Sequence, residues 1–375
     1  NTIGATSGNN LNSAQIQNQI TILNRDFNGL NPDTTLIPAI FKPLLGKFQF
    51  NFCLAVVNPT GGVLAEPGID RVNRVSKGWN AFPYSMAYTD ATVKPNSIWD
   101  PNKYLNMWTV PLSGGILGYA TFPNPGTSGI TGIPAPYGSA TTDGLVMPPN
   151  YFGSIGTAAA SYPYNGGRTV VHEMGHWVGL RHIWGDATCA TDYCNDTPTA
   201  QTSNGGCPTH PYKLGVCGGN TTGEMFMNYM DYTYDACMNM FTMDQKYRAQ
   251  LIMTHSPMRA ALLTSTVCNL PPTTNDLAII NVISPTYSQV INCNNTLNPS
   301  IRVANLGSNI ITSAVFNYSV TGKPTQTYTW TGSLGVGATS TINLPPIINI
   351  TNGVKAFTVN LSSVNGGSDS NSSNN

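Results

Sequence analysis

Charge is what this chain has least of. Only 9% of its residues are Asp, Glu, Lys or Arg, 17 acidic and 17 basic, so the formal net charge is zero. No basic tract exists. Nucleic acid and anionic membrane are therefore poor candidates as partners. Histidine is scarcer still, with five in the chain. No pair of cysteines has the CxxC spacing of a zinc ribbon. No apolar run is long enough to span a membrane or form the core of a signal peptide. The first residue is Asn1, not Met. The expectation is a secreted protein already stripped of its signal, and of a zymogen propeptide with it.

What is present points the same way. A length of 375 residues with 41% hydrophobic content suits one large domain and one smaller one. Polarity comes mainly from Asn, Ser and Thr. The cysteines number eight, an even count. Cys189, Cys194, Cys207, Cys217 and Cys237 crowd one stretch. An oxidising compartment explains both facts.

Three of the five histidines stand together in His172-Glu173-Met174-Gly175-His176-Trp177-Val178-Gly179-Leu180-Arg181-His182. His172 and His176 are four apart, so a helix aims both imidazoles the same way. Glu173 stands beside the first of them. It can reach a water on a metal without being a ligand. Gly179 can adopt a left-handed conformation and end the helix. The turn swings His182 back to supply a third nitrogen. Three histidines with an open fourth position make a catalytic zinc site, not a closed structural one.

The rest of the chain reads as a frame for this stretch. Ser13 caps a helix over residues 14–26, with Ile16, Ile20, Leu23 and Phe27 as its apolar stripe. Residues 48–57 alternate and then turn apolar, which predicts a strand. Further strands are expected at 105–110, 115–122 and 143–147, with a Gly- and Pro-rich loop at 124–138. The strand at 143–147 reads as a sheet edge, and Gly144, Leu145 and Val146 as the place where an extended substrate is received. After the histidines, Asp186, Asp192 and Asp196 lie among short polar residues and could hold calcium. The spacing does not match an EF-hand, and a solvated loop tied by disulfides explains the same residues. Thr242 to Gln245 is a capping box opening a helix to about residue 253, and a shorter helical piece follows at 257–264.

Residues 271–275 look like a linker. From 276 to 364, short apolar runs alternate with Asn, Gly, Ser and Pro, the pattern of a small β-sandwich. It carries no histidine. Residues 365–375 are expected to form a flexible tail. The fold class is α+β: a catalytic domain at 1–270, with a twisted mixed sheet and an active-site helix, followed by an all-β Ig-like accessory sandwich.

The extended histidine motif resembles that of the metzincin metallopeptidases, and Met230 matches their Met-turn. Within that clan the chain resembles the pappalysin family, especially its secreted bacterial members. Residues 172–186 carry the family pattern, as do Asp196-Thr197-Pro198 and Asn228-Tyr229-Met230-Asp231-Tyr232. So do Asp235-Ala236-Cys237-Met238 and Phe241-Thr242. The resemblance implies zinc on His172, His176 and His182, Glu173 as general base and acid, and Met230 beneath the metal. It implies Tyr232 as a stabiliser of the reaction intermediate and calcium near the loop after Asp186. It also implies disulfides Cys194–Cys217 and Cys207–Cys237. Ala236 stands where Arg- or Lys-selective members carry an acid, and Asp235 is one step away. The expected activity is zinc-dependent endopeptidase action on proteins or peptides, with broad specificity. The alternative is an inactive scaffold acting as an extracellular adhesion protein, its C-terminal sandwich binding a surface or matrix target.

Overall fold

The computed structural model describes residues 8–269, 275–286, 296–351 and 353–375. Cys293 and most of the linker expected at 271–275 lie outside the described residues. Two units are distinguished. The first comprises the chain up to Ala55 and Leu64–Cys268; the second comprises Val56–Val63 and Asn269–Asn375.

The first unit begins with α1 (Ser13–Phe27). Its cap is Asn12, whose side chain accepts from the Gln15 N–H at 2.7 Å, one residue before the expected Ser13. Leu23 and Phe27 are fully buried. Phe27 gathers Phe48, Phe52 and Phe241 around it, with ring centroids 5.1, 5.5 and 4.7 Å away. Residues 48–57 do not form the strand their alternation predicts. Side chains of α1 take their backbone groups instead. Asn24 donates to the Phe52 carbonyl at 2.8 Å and accepts from its N–H at 2.7 Å, and Asn28 donates to the Phe50 carbonyl at 2.8 Å. A segment whose main chain is satisfied this way has less need of a ladder partner.

A single turn, α2 (Met86–Tyr88), runs into a π-helical turn at Thr89–Val93. A mixed three-stranded sheet follows: β1 (Met107–Thr109), β2 (Tyr119–Ala120) and β3 (Leu145–Met147). The spatial order is β1-β3-β2. β1 runs parallel to β3, with Trp108 opposite Val146; β2 runs antiparallel, with Tyr119 opposite Val146. All three residues of β3 are buried.

Next come α3 (Arg168–Trp177), α4 (Met243–His255), which has the expected capping box, and α5 (Pro257–Leu262). Every residue of α3 is buried. A helix enclosed on all sides must find partners for its polar groups inside the protein. At its start, Arg168 donates to Asp33 at 2.5 and 2.9 Å, to Asp26 at 3.3 Å and to the Asp235 carbonyl at 2.6 Å. At its end, the Trp177 indole donates to Asp143 at 3.0 Å. Arg259 of α5 grips the same carboxylate at 2.7 and 2.8 Å and lies 3.6 Å over the Trp177 ring. The helix is thus fastened at both ends by buried ion pairs.

Disulfides join Cys53 to Cys268, Cys189 to Cys217 and Cys207 to Cys237. The second corrects the expected Cys194–Cys217 bond. Cys194 is a buried free thiol. A tight turn holds it inward: Asp192 accepts the Cys194 N–H at 3.0 Å, and the Thr197 hydroxyl donates to the Cys194 carbonyl at 2.9 Å. Cys189, with its Cα 5.6 Å from that of Cys217, is within bridging range.

The second unit is all β: β4 (Leu277–Ser284), β5 (Ser300–Asn305), β6 (Ile311–Val320), β7 (Gln326–Leu334), β8 (Thr339–Asn343) and β9 (Phe357–Val364). Two antiparallel sheets, ordered β4-β5-β8 and β7-β6-β9, share one core that includes Leu277, Ile301, Val303, Phe316, Tyr318 and Leu361. The residues expected to form a loose tail are instead tied to β4. Asp369 accepts the Leu277 N–H at 2.8 Å, and Asn374 donates to Asp276 at 3.0 Å. Short polar side chains here satisfy a strand's starting groups, which composition alone cannot reveal.

Candidate metal centre

The site is built on the last two turns of α3 and the chain just beyond it. Gly179 has φ +90°. Its N–H donates to the His176 carbonyl at 2.9 Å and that of Leu180 to the Gly175 carbonyl at 2.9 Å, closing the helix as the sequence predicts. A Cβ at Gly179 would lie 2.8 Å from Ile252 of α4, so the turn is also tightly packed.

The turn brings His182 back to the helix. His176 Nε2 lies 3.1 Å from His172 Nε2 and 3.1 Å from His182 Nε2. Each ring uses Nδ1 elsewhere. His172 Nδ1 donates to the Tyr229 carbonyl at 2.7 Å, His176 Nδ1 to the Leu180 carbonyl at 2.8 Å, and His182 Nδ1 to the Asp186 carboxylate. These acceptors require a proton on Nδ1. Every Nε2 therefore presents a lone pair to the same point. Three lone pairs this close repel one another unless a cation lies between them. Burial, with the neighbouring histidines, pushes His172 well below the usual imidazole range and His176 down to about 3. A proton is thus disfavoured as that cation. Zn–N bonds of about 2.0–2.1 Å in a tetrahedral arrangement match such spacing, and imidazole suits zinc. Among the described residues this is the one cluster of three such side chains able to hold a metal.

Glu173 is buried, and desolvation pushes its carboxyl up to about 8. A neutral carboxyl cannot accept a proton. A base at this position requires positive charge beside it, which a divalent ion in the triad supplies. The residues present therefore fit zinc.

The Met-turn segment packs against α3. Met230 is fully buried, and a Cβ on Gly175 would meet its Sδ at 2.3 Å. Glycine inside the motif is thus the space into which the thioether packs. Tyr232 is half exposed, with its ring 5.5 Å from His172 and 4.9 Å from His182. Burial, then the nearby Glu173 and Asp186 charges, pushes its phenol up to about 12, so it stays a proton donor. The Trp184 ring stacks on His182 at 4.2 Å. Asp231 holds Tyr232 from behind: its carboxylate accepts the Tyr232 N–H at 2.8 Å and both N–H groups of Asn204.

Three expectations change. Gly144, Leu145 and Val146 do not form a substrate-receiving edge. β3 is the central strand, with both sides already paired. The edges belong to β1 and β2, and Gly118, just before β2, lies near Glu173; strand order is set by long-range pairing, which a local pattern does not encode. Asp186, Asp192 and Asp196 are not brought together. Asp186 binds His182 and Arg181, Asp192 accepts from Cys194 and Thr197, and Asp196 accepts the Asp244 N–H at 2.9 Å. Asp235 faces away from the cleft. It is buried at the start of α3 and accepts the N–H groups of Gly166 at 2.7 Å and Arg168 at 3.2 Å, while Ala236 is exposed.

Asp186 is therefore read as the orienter of the third imidazole. Its hydrogen bond to His182, then the Arg181 guanidinium, holds its carboxyl down at about 2. Asp186→Ala is expected to weaken zinc binding about 10- to 100-fold, the usual cost of losing such a partner. Competition with a chromogenic chelator measures it, and unchanged affinity refutes the role.

Comparison with known proteins agrees with this geometry. The family model described as pregnancy-associated plasma protein-A, peptidase M43, matches residues 87–254. Mature mirolysin of Tannerella forsythia, solved with a cleaved peptide, is 38% identical with a TM-score of 0.59, over 69% of this chain and 91% of that one. Mirolysin solved with a small compound is 37% identical with a TM-score of 0.58, over 71% and 94%. An extracellular metalloprotease of Verticillium alfalfae is 37% identical over 155 residues, 38% of this chain and 48% of the relative. One from Podospora anserina is 32% identical over 214 residues, 50% and 66% respectively. The chain thus spans about half to two thirds of these curated relatives' lengths. With its three convergent histidines, its Met-turn and its likeness over nearly all of mirolysin, the chain belongs to the pappalysin family of metzincin zinc metallopeptidases.

Proposed function

We propose that this protein is an extracellular zinc endopeptidase. The observation that carries the reading is the convergence of His172, His176 and His182 with Glu173 alongside. Zinc held by the three imidazoles would supply a Lewis acid that lowers the pKa of a water and polarises a scissile carbonyl. Glu173 takes the water's proton and passes it to the leaving amine. The Tyr232 phenol donates to the oxygen on which charge develops. The location outside the cell is supported by the relatives named extracellular metalloproteases and by the three disulfides. No helix among the described residues is long and apolar enough to cross a membrane. The C-terminal sandwich is proposed as an accessory module for a surface or matrix target, a reading supported by its lack of histidine and of any catalytic constellation.

Substrates are proposed to be extended peptides lying along the free side of β2. Main-chain hydrogen bonds there are indifferent to side-chain identity, so selectivity falls to pockets. The segment after the Met-turn brings only Ala236 to the surface, and Asp235 is occupied in capping α3. Cleavage is therefore broad, not restricted to bonds preceding Arg or Lys. A calcium ion on the 186–196 loop is also proposed, with Asp192 as its one carboxylate and loop carbonyls as its other ligands, since Asp186 and Asp196 are engaged by other partners.

Three measurements follow. Glu173→Ala keeps fold and zinc but loses casein cleavage, while Tyr232→Phe costs about 10- to 1000-fold in kcat, as for one oxyanion donor. Near-normal turnover by Glu173→Ala, or wild-type cleavage that a zinc chelator leaves untouched, overturns the mechanism. Product profiling on a peptide library tests selectivity: more than about 80% of cuts before Arg or Lys would require a paired charge the pocket lacks. Calcium added to the zinc-loaded protein raises Tm if the loop binds it, through mass action; an unmoved Tm refutes the site.

A further inference from the structure

Glu173 is buried within α3. A general base must be held to a fraction of an ångström, and close contact helps to confine this one. A Cβ built on Gly118, the residue just before β2, would lie 3.1 Å from Glu173 Cγ, 3.2 Å from Glu173 Oε1 and 2.5 Å from Met147 Sδ. The backbone leading into β2 therefore passes close to the acid and forms a wall beside it, with Met147 of β3 alongside.

The wall cannot retreat. β2 is laddered to β3 through Tyr119 and Ala120. The Tyr119 hydroxyl donates to Asp90 at 2.8 Å, and the buried Lys94 ammonium lies 4.6 Å over the Tyr119 ring and 2.8 Å from Asp90. Strand, π-helical turn and buried cation form one anchored unit. If an atom is added at position 118, the flexible Glu173 side chain has to move, not the strand.

Resting on the peptidase reading, we propose that Gly118 is a positioning residue for Glu173. The absence of a side chain lets the backbone leading into β2 approach the acid closely enough to fix its direction by packing. Gly118 touches no metal ligand in this role, and its effect passes through Glu173.

The test compares Gly118→Ala with wild type, and Gly118→Ala/Met147→Ala with Met147→Ala. The second pair removes the sulfur contact, so it reads the Glu173 contact even if the single variant folds poorly. The expected result is a fall in kcat of about 3- to 10-fold with KM within about 3-fold, since the contact requires Glu173 to shift by tenths of an ångström and a full 1 Å costs a reacting group about 100-fold. Zinc content should be unchanged. A kcat within about 2-fold of the reference overturns the proposal. A loss carried by KM overturns it in favour of substrate docking on β2, and failure of both variants to fold assigns Gly118 to structure only. A wild type without chelator-sensitive cleavage sinks the peptidase reading and this role with it. A cleaving wild type matched by an equally fast Gly118→Ala sinks this role alone.

Discussion

The convergence of three imidazoles depends on what each ring does with its other nitrogen. Two main-chain carbonyls and one carboxylate hold a proton on Nδ1 and so leave Nε2 bare. One carbonyl belongs to the Met-turn, one to the turn ending α3, and the carboxylate to the loop beyond. The metal site is therefore only as rigid as three separate pieces of backbone. Much of the first unit's architecture keeps these pieces in register.

That requirement explains why α3 is enclosed. A surface helix could tilt by a degree or two without consequence. This one carries His172, Glu173 and His176, and its register against Tyr229 decides whether His172 is oriented at all. Arg168 with Asp26 and Asp33 fixes one end; Arg259, Asp143 and Trp177 fix the other. Buried charges of this kind add little net stability, but removing one partner is costly because the other is left uncompensated. Asp235 belongs to the same scheme. Its carboxylate is spent on the start of the helix, accepting the N–H groups of Gly166 and Arg168.

The site was legible in the sequence because its geometry is local. A four-residue step and a glycine turn place three nitrogens within eleven residues, and no distant information is needed. The sandwich was legible for a related reason, since short apolar runs spaced by Asn, Gly, Ser and Pro are themselves a local pattern. What escaped was decided between distant segments. The β3 stretch looks like an edge until β2 pairs with its far side. Residues 48–57 have the alternation of a strand, but Asn24 and Asn28 reach their backbone first. Cys194 is nearer than Cys189 to Cys217 in sequence, yet the Asp192 turn holds it out of the bond. Gly118 gave no signal, because a glycine's value as a wall appears only once its neighbour is known.

The scarcity of charge acquires a second meaning from where the charges sit. Asp26, Asp143, Arg168, Glu224, Asp231, Arg248 and Arg259 are all buried, so the exterior carries fewer ions than the composition suggests. Water around this protein is held chiefly by neutral amides and hydroxyls. Such a surface exerts little long-range pull on a passing peptide and offers dissolved salt little to screen. Association at such a surface depends on diffusion and shape more than on ionic strength.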